Sequence, residues 1–319
     1  TDEAAKEVDS AVVALVKEAM NDQTVIEDDI LDTIGAMLAK IDEKLSDQMN
    51  AIIHAPEFQE LESSWRGLAY TVNNSETDST LRVNVMNVSK KELAGELRRY
   101  PGAKWDKSPI FQKVYEQEFG TMGGKPFGAL IGDYYFDQST ADVGLLRDMA
   151  KIGAAAHAPF LSSAAPALLG MDSWNEMGNP DDLSEIFDTP DYAAWNGLRD
   201  SENARYVGLT LPRVLSREPY SQNSNSVVEE FNFEEDTDGH EGNMYAWMNA
   251  AHAMAVNINR AHKEYGWTVK IRGVQSGGEV MSLPTHTFAS GDGSQEMKVP
   301  TEVSITDRRE GELSKAGLI

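Results

Sequence analysis

Phe127-Gly-Ala-Leu-Ile-Gly-Asp-Tyr-Tyr-Phe136, followed after a three-residue break by Thr140-Ala-Asp-Val-Gly-Leu-Leu-Arg-Asp-Met-Ala-Lys-Ile-Gly-Ala-Ala-Ala-His157, decides the fold. The first run is an apolar, aromatic strand and the second a helix, so the chain takes a strand-then-helix step here. The same step stands upstream. Leu81, Val83 and Val85 alternate with Arg82, Asn84 and Met86, the period of a half-buried strand, and Ser89-Lys-Lys-Glu92 has the form of a capping box opening the next helix. Ser108-Pro109 supplies an N-cap and a first-turn proline for a helix running to Gly120. Downstream, Thr189-Pro190 opens a short helix through Trp195 and Leu198, and Tyr206 to Leu211 reads as a strand. Asn243 to Glu264 reads as a long helix stopped by Gly266, with strands expected over Trp267 to Arg272 and Glu302 to Thr306. Asp307 to Ala316 is a last helix, stopped by Gly317, and Leu318-Ile319 begins another apolar run. Strands alternating with helices imply an α/β protein, a mixed layered body over residues 54–319.

Ahead of that body the period changes. Val8, Val12, Leu15, Val16 and Ala19 recur at helical spacing, and Ile30, Ile34, Met37, Leu38, Ile41, Leu45 and Met49 repeat the pattern. Burying all seven residues of the second stripe would yield roughly 10 to 20 kcal/mol. Ordering Asp29 to Ile52 costs about 1 to 2 kcal/mol per residue before backbone hydrogen bonds form, so the helix needs a surface to lie on. Residues 1–53 therefore read as a helical, partner-binding segment, with Ile30, Ile34, Leu38, Ile41 and Leu45 as the contact stripe. This segment holds 13 acids against 4 lysines, which makes its exposed faces anionic. After Pro56 the apolar residues Phe58, Leu61, Trp65, Leu68 and Val72 continue at helical spacing until Asn73-Asn-Ser75.

Composition narrows the function. The 319 residues carry 52 Asp and Glu against 28 Lys and Arg, a formal charge of −24 that repels phosphate backbones and excludes nucleic acid as an expected partner. With no cysteine, disulfides, thiolate nucleophiles and cysteine-rich zinc sites are impossible, and a reducing compartment is expected. The uncharged stretch Ile152 to Met171 is long enough for a bilayer, but Pro159 and Pro166 break it and seven alanines leave it only mildly apolar, so no membrane span is expected.

The motifs of catalysis are incomplete. Gly124-Lys125 comes nearest to a phosphate loop, but Phe119 stands where the first glycine belongs and Pro126 where the metal-holding hydroxyl belongs. Glu229 to Glu241 holds seven acids and no Lys or Arg. Glu234, Asp236, Asp238 and Gly239 fall at positions 1, 3, 5 and 6 of a calcium loop, yet Tyr245 occupies the position of the bidentate carboxylate. A solvated acidic loop is the plainer reading. The six histidines show no zinc spacing, and Ser276 is one residue out of register for a nucleophile elbow. No catalytic, cofactor-binding or metal-binding residue is expected, and a metal-dependent hydrolase using loop 229–241 stands as the alternative. Arg308 and Arg309, set between Asp307 and Glu310, suit bidentate carboxylate pairing.

Eight short segments in order resemble the large sheath subunit of the bacterial type VI secretion system, the TssC or VipB family. They are His54-Ala-Pro-Glu-Phe58 with Leu61, Trp65 and Gly67; Phe127 to Asp133; Ala154 to Phe160; Arg205 to Gly208 with Leu211-Pro-Arg213; Glu229 to Phe233; Ile271 to Val274; Leu283 to Phe288; and Ile305 to Glu310. The resemblance implies a structural protein of the bacterial cytoplasm and not an enzyme, forming a heterodimer with a small sheath subunit of the TssB or VipA type. Further large subunits would stack helically around an inner tube of hexameric rings, and contraction would propel that tube into a target cell. It also implies a disassembly AAA+ ATPase recruited through an N-terminal segment, and a C-terminal domain joining neighbours. Neither of those two segments is expected within these 319 residues.

Overall fold

The computed structural model describes residues 13, 30–178, 183–222, 224, 226–229, 231–268, 271, 278–281, 283–291 and 293–319. The helix expected over Val8 to Ala19 lies, but for Val13, outside them, as do Ser276 and half of the Trp267 to Arg272 strand. The chain divides into two compact units, Thr1–Leu61 with Arg217–Ala246, and Glu62–Ser216 with Trp247–Ile319.

The larger unit is built on the stretch that opens with Phe127. Strand β1 (Leu130–Phe136), β2 (Phe160–Ala164) and β3 (Val207–Thr210) form a parallel sheet in the order β1-β2-β3. Four helices frame it: α2 (Pro56–Asn73), which enters from the smaller unit, α3 (Lys90–Arg98), α5 (Thr140–Ala156) and α8 (Ala250–Tyr265). Alternation along β1 sorts its side chains between two faces. Tyr134 and Phe136 point to the α3 side, where the Tyr134 hydroxyl donates to the Val88 carbonyl at 2.6 Å and the Lys90 ammonium lies over the Phe136 ring. Asp133 and Tyr135 point the other way, to α8 and α2. Strand β2 is buried at all five positions, as a central parallel strand covered on both faces must be. Its Ser163 hydroxyl donates to Asn249 Oδ1, and Asn249 both caps α8 at Ala251 N and donates to the Tyr134 carbonyl. That polar contact fixes where α8 starts.

The core holds Leu146, Ile152, Leu168, Trp174, Trp195, Leu198 and Leu209, all close to fully buried. The capping box at Ser89 and Glu92 forms as expected, Ser108 caps Phe111 ahead of Pro109, and α5 ends where His157 takes a left-handed conformation. Short helix α4 (Pro109–Phe111) runs into a π-helical turn, and α6 (Leu183–Ile186) and α7 (Ala193–Arg199) close over the core. Strands β4 (Val214–Leu215) and β5 (Trp247–Met248) pair antiparallel, as do β6 (His286–Ala289) and β7 (Gln295–Lys298), and α9 (Asp307–Lys315) follows. Leu318 and Ile319 pair with β3 from its open edge, so their apolar run does join the sheet.

Four expectations need correction. Leu81 to Met86 forms no strand ladder: it pairs with no described strand, and Val85 and Met86 face solvent. The long helix begins at Ala250 rather than Asn243, because the carboxylate of Asp238 takes the Asn243 and Met244 N–H groups and Trp247–Met248 pairs with β4. Gly266–Thr268 is a 3-10 turn instead of the start of a strand. Glu302 to Thr306 forms no strand either; Thr301 makes a single bridge to Val214, and the Glu302 carboxylate grips Arg213 bidentately.

Candidate functional site

The smaller unit is helix α1 (Ile30–Ile53) with a strap formed by residues 217–246. At 3.6 residues per turn, Ile34, Leu38, Ile41, Leu45 and Ile52 fall on one side of α1, whereas Ala39, Glu43, Ser46 and Asn50 fall on another. The strap takes the second side. The Ser46 hydroxyl reaches the Asn232 carbonyl, the Asn50 amide donates to the Glu234 carbonyl at 3.2 Å, and Asn50 Oδ1 accepts from Asp236 N at 3.0 Å. Farther along, Gln59 Nε2 donates to the Asn243 carbonyl.

The strap is held from within by a buried ion pair. Arg217 grips both oxygens of Glu235, whose side chain is 1 % exposed, and Tyr220 N adds a third donor to the same carboxylate. The guanidinium lies 4.3 Å from the centre of the Tyr220 ring, and His54 Nε2 stands 3.4 Å from Glu235 Oε1. Phe233 and Tyr245 are buried beneath, and burial pushes the Tyr245 phenol up to about 12. Phe233 and the Glu235 side chain therefore depart from the solvated loop expected from the segment's charge, whereas Glu229, Glu234, Asp236 and Glu241 stay exposed as expected. One buried carboxylate satisfied by a guanidinium lets an acidic segment fold down. The carboxylates that matched a calcium loop have other partners: Glu234 accepts from Gln222 N, and Asp238 from Asn243 N and Met244 N. Among the described residues no three His, Asp or Glu side chains converge to hold a metal.

With the polar side of α1 occupied, its apolar side is left bare. Ile34 is 48 % and Leu38 57 % exposed, Met49 and Ile52 are exposed as well, and Ile41 and Leu45 are half-buried. Of the stripe read from sequence, Ile30 starts the helix, and Leu38 also borders the groove between α1 and the strap. Helix α2 repeats the arrangement. Its apolar stripe of Phe58, Leu61, Trp65 and Val72 faces solvent, with Trp65 65 % exposed, while Gly67 and Thr71 face the sheet. Sequence reasoning assigned the apolar stripe of α2 no partner and overlooked its small, polar side, for which the only signal was the pair Gly67 and Thr71 four residues apart. There the ring of buried His252 lies where a side chain on Gly67 would be, accepts or donates at Thr71 Oγ1 over 3.0 Å, and approaches Asp133 Oδ1 at 3.6 Å.

The Gly124-Lys125 loop is filled by its own chain: the Glu118 carboxylate accepts from Lys125 N, and the Glu118 backbone lies against Gly124. Arg308 pairs with Glu312 on the surface of α9, and Arg309 donates to the Met177 carbonyl. Among the described residues no helix is long and apolar enough to cross a membrane.

One acid of the strap, Glu235, is folded inward, and the apolar stripes of α1 and α2 are left outward. Residues 35–319 match a family described as EvpB/VC_A0108, tail sheath N-terminal domain. The type VI secretion system sheath protein TssC1 of Pseudomonas aeruginosa is 54 % identical over 319 residues, which are 100 % of this chain and 64 % of that protein. The chain thus spans just under two thirds of its relative's length. This chain belongs to the VipB tail sheath family.

Proposed function

We propose that the chain is the structural part of a contractile type VI secretion sheath that pairs with a small sheath subunit, and that the pairing surface is the bare stripe of α1. In this reading residues 1–53 dock the small subunit, 54–319 form the sheath body, and the assembly works in the bacterial cytoplasm. Further large subunits, the inner tube and a disassembly AAA+ ATPase are the other partners of the assembled sheath. The observation that supports the pairing surface is the two-sidedness of α1: the strap takes Ser46 and Asn50 and leaves Ile34 and Leu38 in water. An exposed apolar helix side is the kind of surface that a partner helix or groove covers.

The test is the double substitution Ile34→Asp with Ile41→Asp. Ile34 is exposed and Ile41 half-buried in the free chain, so folding should survive. Two unpaired charges trapped in an interface cost about 3 kcal/mol or more, over a hundredfold in affinity. The variant should keep its melting temperature within a few degrees and fail to pull down the small subunit. Unchanged capture would remove α1 from the interface.

A further inference from the structure

We propose that residues 98–113 form a cationic knuckle that docks on the acidic cleft of a second copy of this chain. This rests on the assembling role proposed above and concerns a contact between copies of this chain, whose cleft borders the α1 stripe at Leu38. Arg98, Arg99, Lys104, Lys107 and Lys113 stand against one acid, Asp106, in a chain of net charge −24. All five are exposed. Arg99 pairs with Glu96 on its own helix, whereas Arg98, Lys104, Lys107 and Lys113 make no ion pair with any described residue. In a molecule with nearly two acids per base, five cations against one acid over sixteen residues reverse the sign of the surface locally, and such a patch suits an anionic partner.

The knuckle is rigid. It joins the end of α3, a 3-10 helix over Gly102–Lys107 and the Ser108 cap of α4, and it is pinned from below by aromatic rings. Trp105 meets the buried Phe111 edge-on at 4.9 Å, and Phe111 stacks on Tyr115 at 4.9 Å. Its backbone is ordered before any partner arrives, which lowers the entropy lost on docking. A phosphate polymer is a poor occupant, since the rest of the molecule repels it beyond contact range.

An acidic protein surface fits better, and the chain carries a concave one. In the smaller unit a cleft of about 530 Å³ is lined by Asp42, Glu43, Asp47, Glu234 and Asp236. Lys40 pairs with Glu43, but the carboxylates of Asp42, Asp47 and Asp236 make no ion pair with any described residue. Leu38 and Ala39 give the cleft an apolar wall, against which lysine stems lie while their ammonium groups reach carboxylates. Knuckle and cleft are different patches of one sequence, so the contact is heterologous and repeats from copy to copy without closing on itself unless the geometry makes a ring.

Sedimentation velocity of the chain, with two charge-reversed variants, tests this. Screening lengths are about 30 Å at 10 mM salt and 3 Å at 1 M, so concentration-dependent self-association should appear at the lower salt and vanish at the higher. Lys104→Glu with Lys107→Glu and Lys113→Glu should weaken it by about tenfold or more. Asp42→Lys with Asp47→Lys makes the chain less negative and so reduces general repulsion, yet it should weaken association as well. Mixing the two variants should restore a complex of one with the other. Absence of self-association at low salt, indifference to either reversal, or no recovery on mixing overturns the proposal. So does a lysine reversal that instead abolishes capture of the small subunit or binding to a nucleic acid. Capture of the small subunit by the α1 stripe is read separately, so either reading can fail alone.

Discussion

His252 shows how a single side chain sets the packing of an element. It is buried in α8, and its ring fills the space that any residue larger than glycine at position 67 would claim, with a built Cβ 2.3 Å from His252 Cδ2. Gly67→Ala must displace the ring or lift α2 off the sheet, at an expected cost of about 1 to 3 kcal/mol. Urea unfolding should register that loss, and an unchanged midpoint would mean that α2 moves freely. Asp133 faces the same ring. Burial alone would raise its carboxyl, but hydrogen bonds from His252 and Ser64 and the attraction of His252 hold it below its ordinary value. A carboxyl lowered in the folded state contributes stability that is present above its unfolded value near pH 4 and lost as pH falls through the folded value. In Asp133→Asn, stability should therefore fall less steeply as pH drops below about 4 than in the parent chain. Parallel curves would show that the carboxylate is not engaged.

Among the elements, those marked by local chemistry were legible. The capping box at Ser89, the Ser108-Pro109 start and the Phe127 to Phe136 strand all depend on near neighbours in sequence, and all form. What failed depended on distant partners. Leu81 to Met86 has the alternation of a strand, but alternation alone selects no partner strand, and Glu302 is held by the Arg213 guanidinium beside the single Thr301–Val214 bridge instead. The strap was hidden for the opposite reason: seven acids in thirteen residues read as solvated, and the neutralising Arg217 lies outside the acidic run. The α1 stripe was visible, but that the strap would take the other side was not, because Ser46 and Asn50 carry no sign of a partner more than 180 residues away. Asn50 is the hinge of that contact, with one bond given and one accepted. Asn50→Ala should loosen the strap by about 1 to 3 kcal/mol and speed cleavage within 229–241 by a glutamate-specific protease. Equal cleavage rates would mean that the strap is held by Arg217 and Glu235 without α1.

For the whole molecule, charge and apolar surface divide the work. A net −24 opposes the approach of separate copies except where patches of opposite sign meet. The bare stripes of α1 and α2 supply apolar area, while the buried Arg217–Glu235 pair neutralises one acid inside the strap. No complete catalytic motif was read in the sequence, and family membership follows from the matched residues 35–319. The central claim is that α1 meets the small sheath subunit through its bare side. Hydrogen exchange of the chain, alone and with the small subunit in excess, tests it most directly. The account predicts slower exchange at the amides of residues 34–52 in the complex, with little change along β2 and α5. Unchanged exchange over α1 in a chain that has demonstrably bound its partner would contradict it.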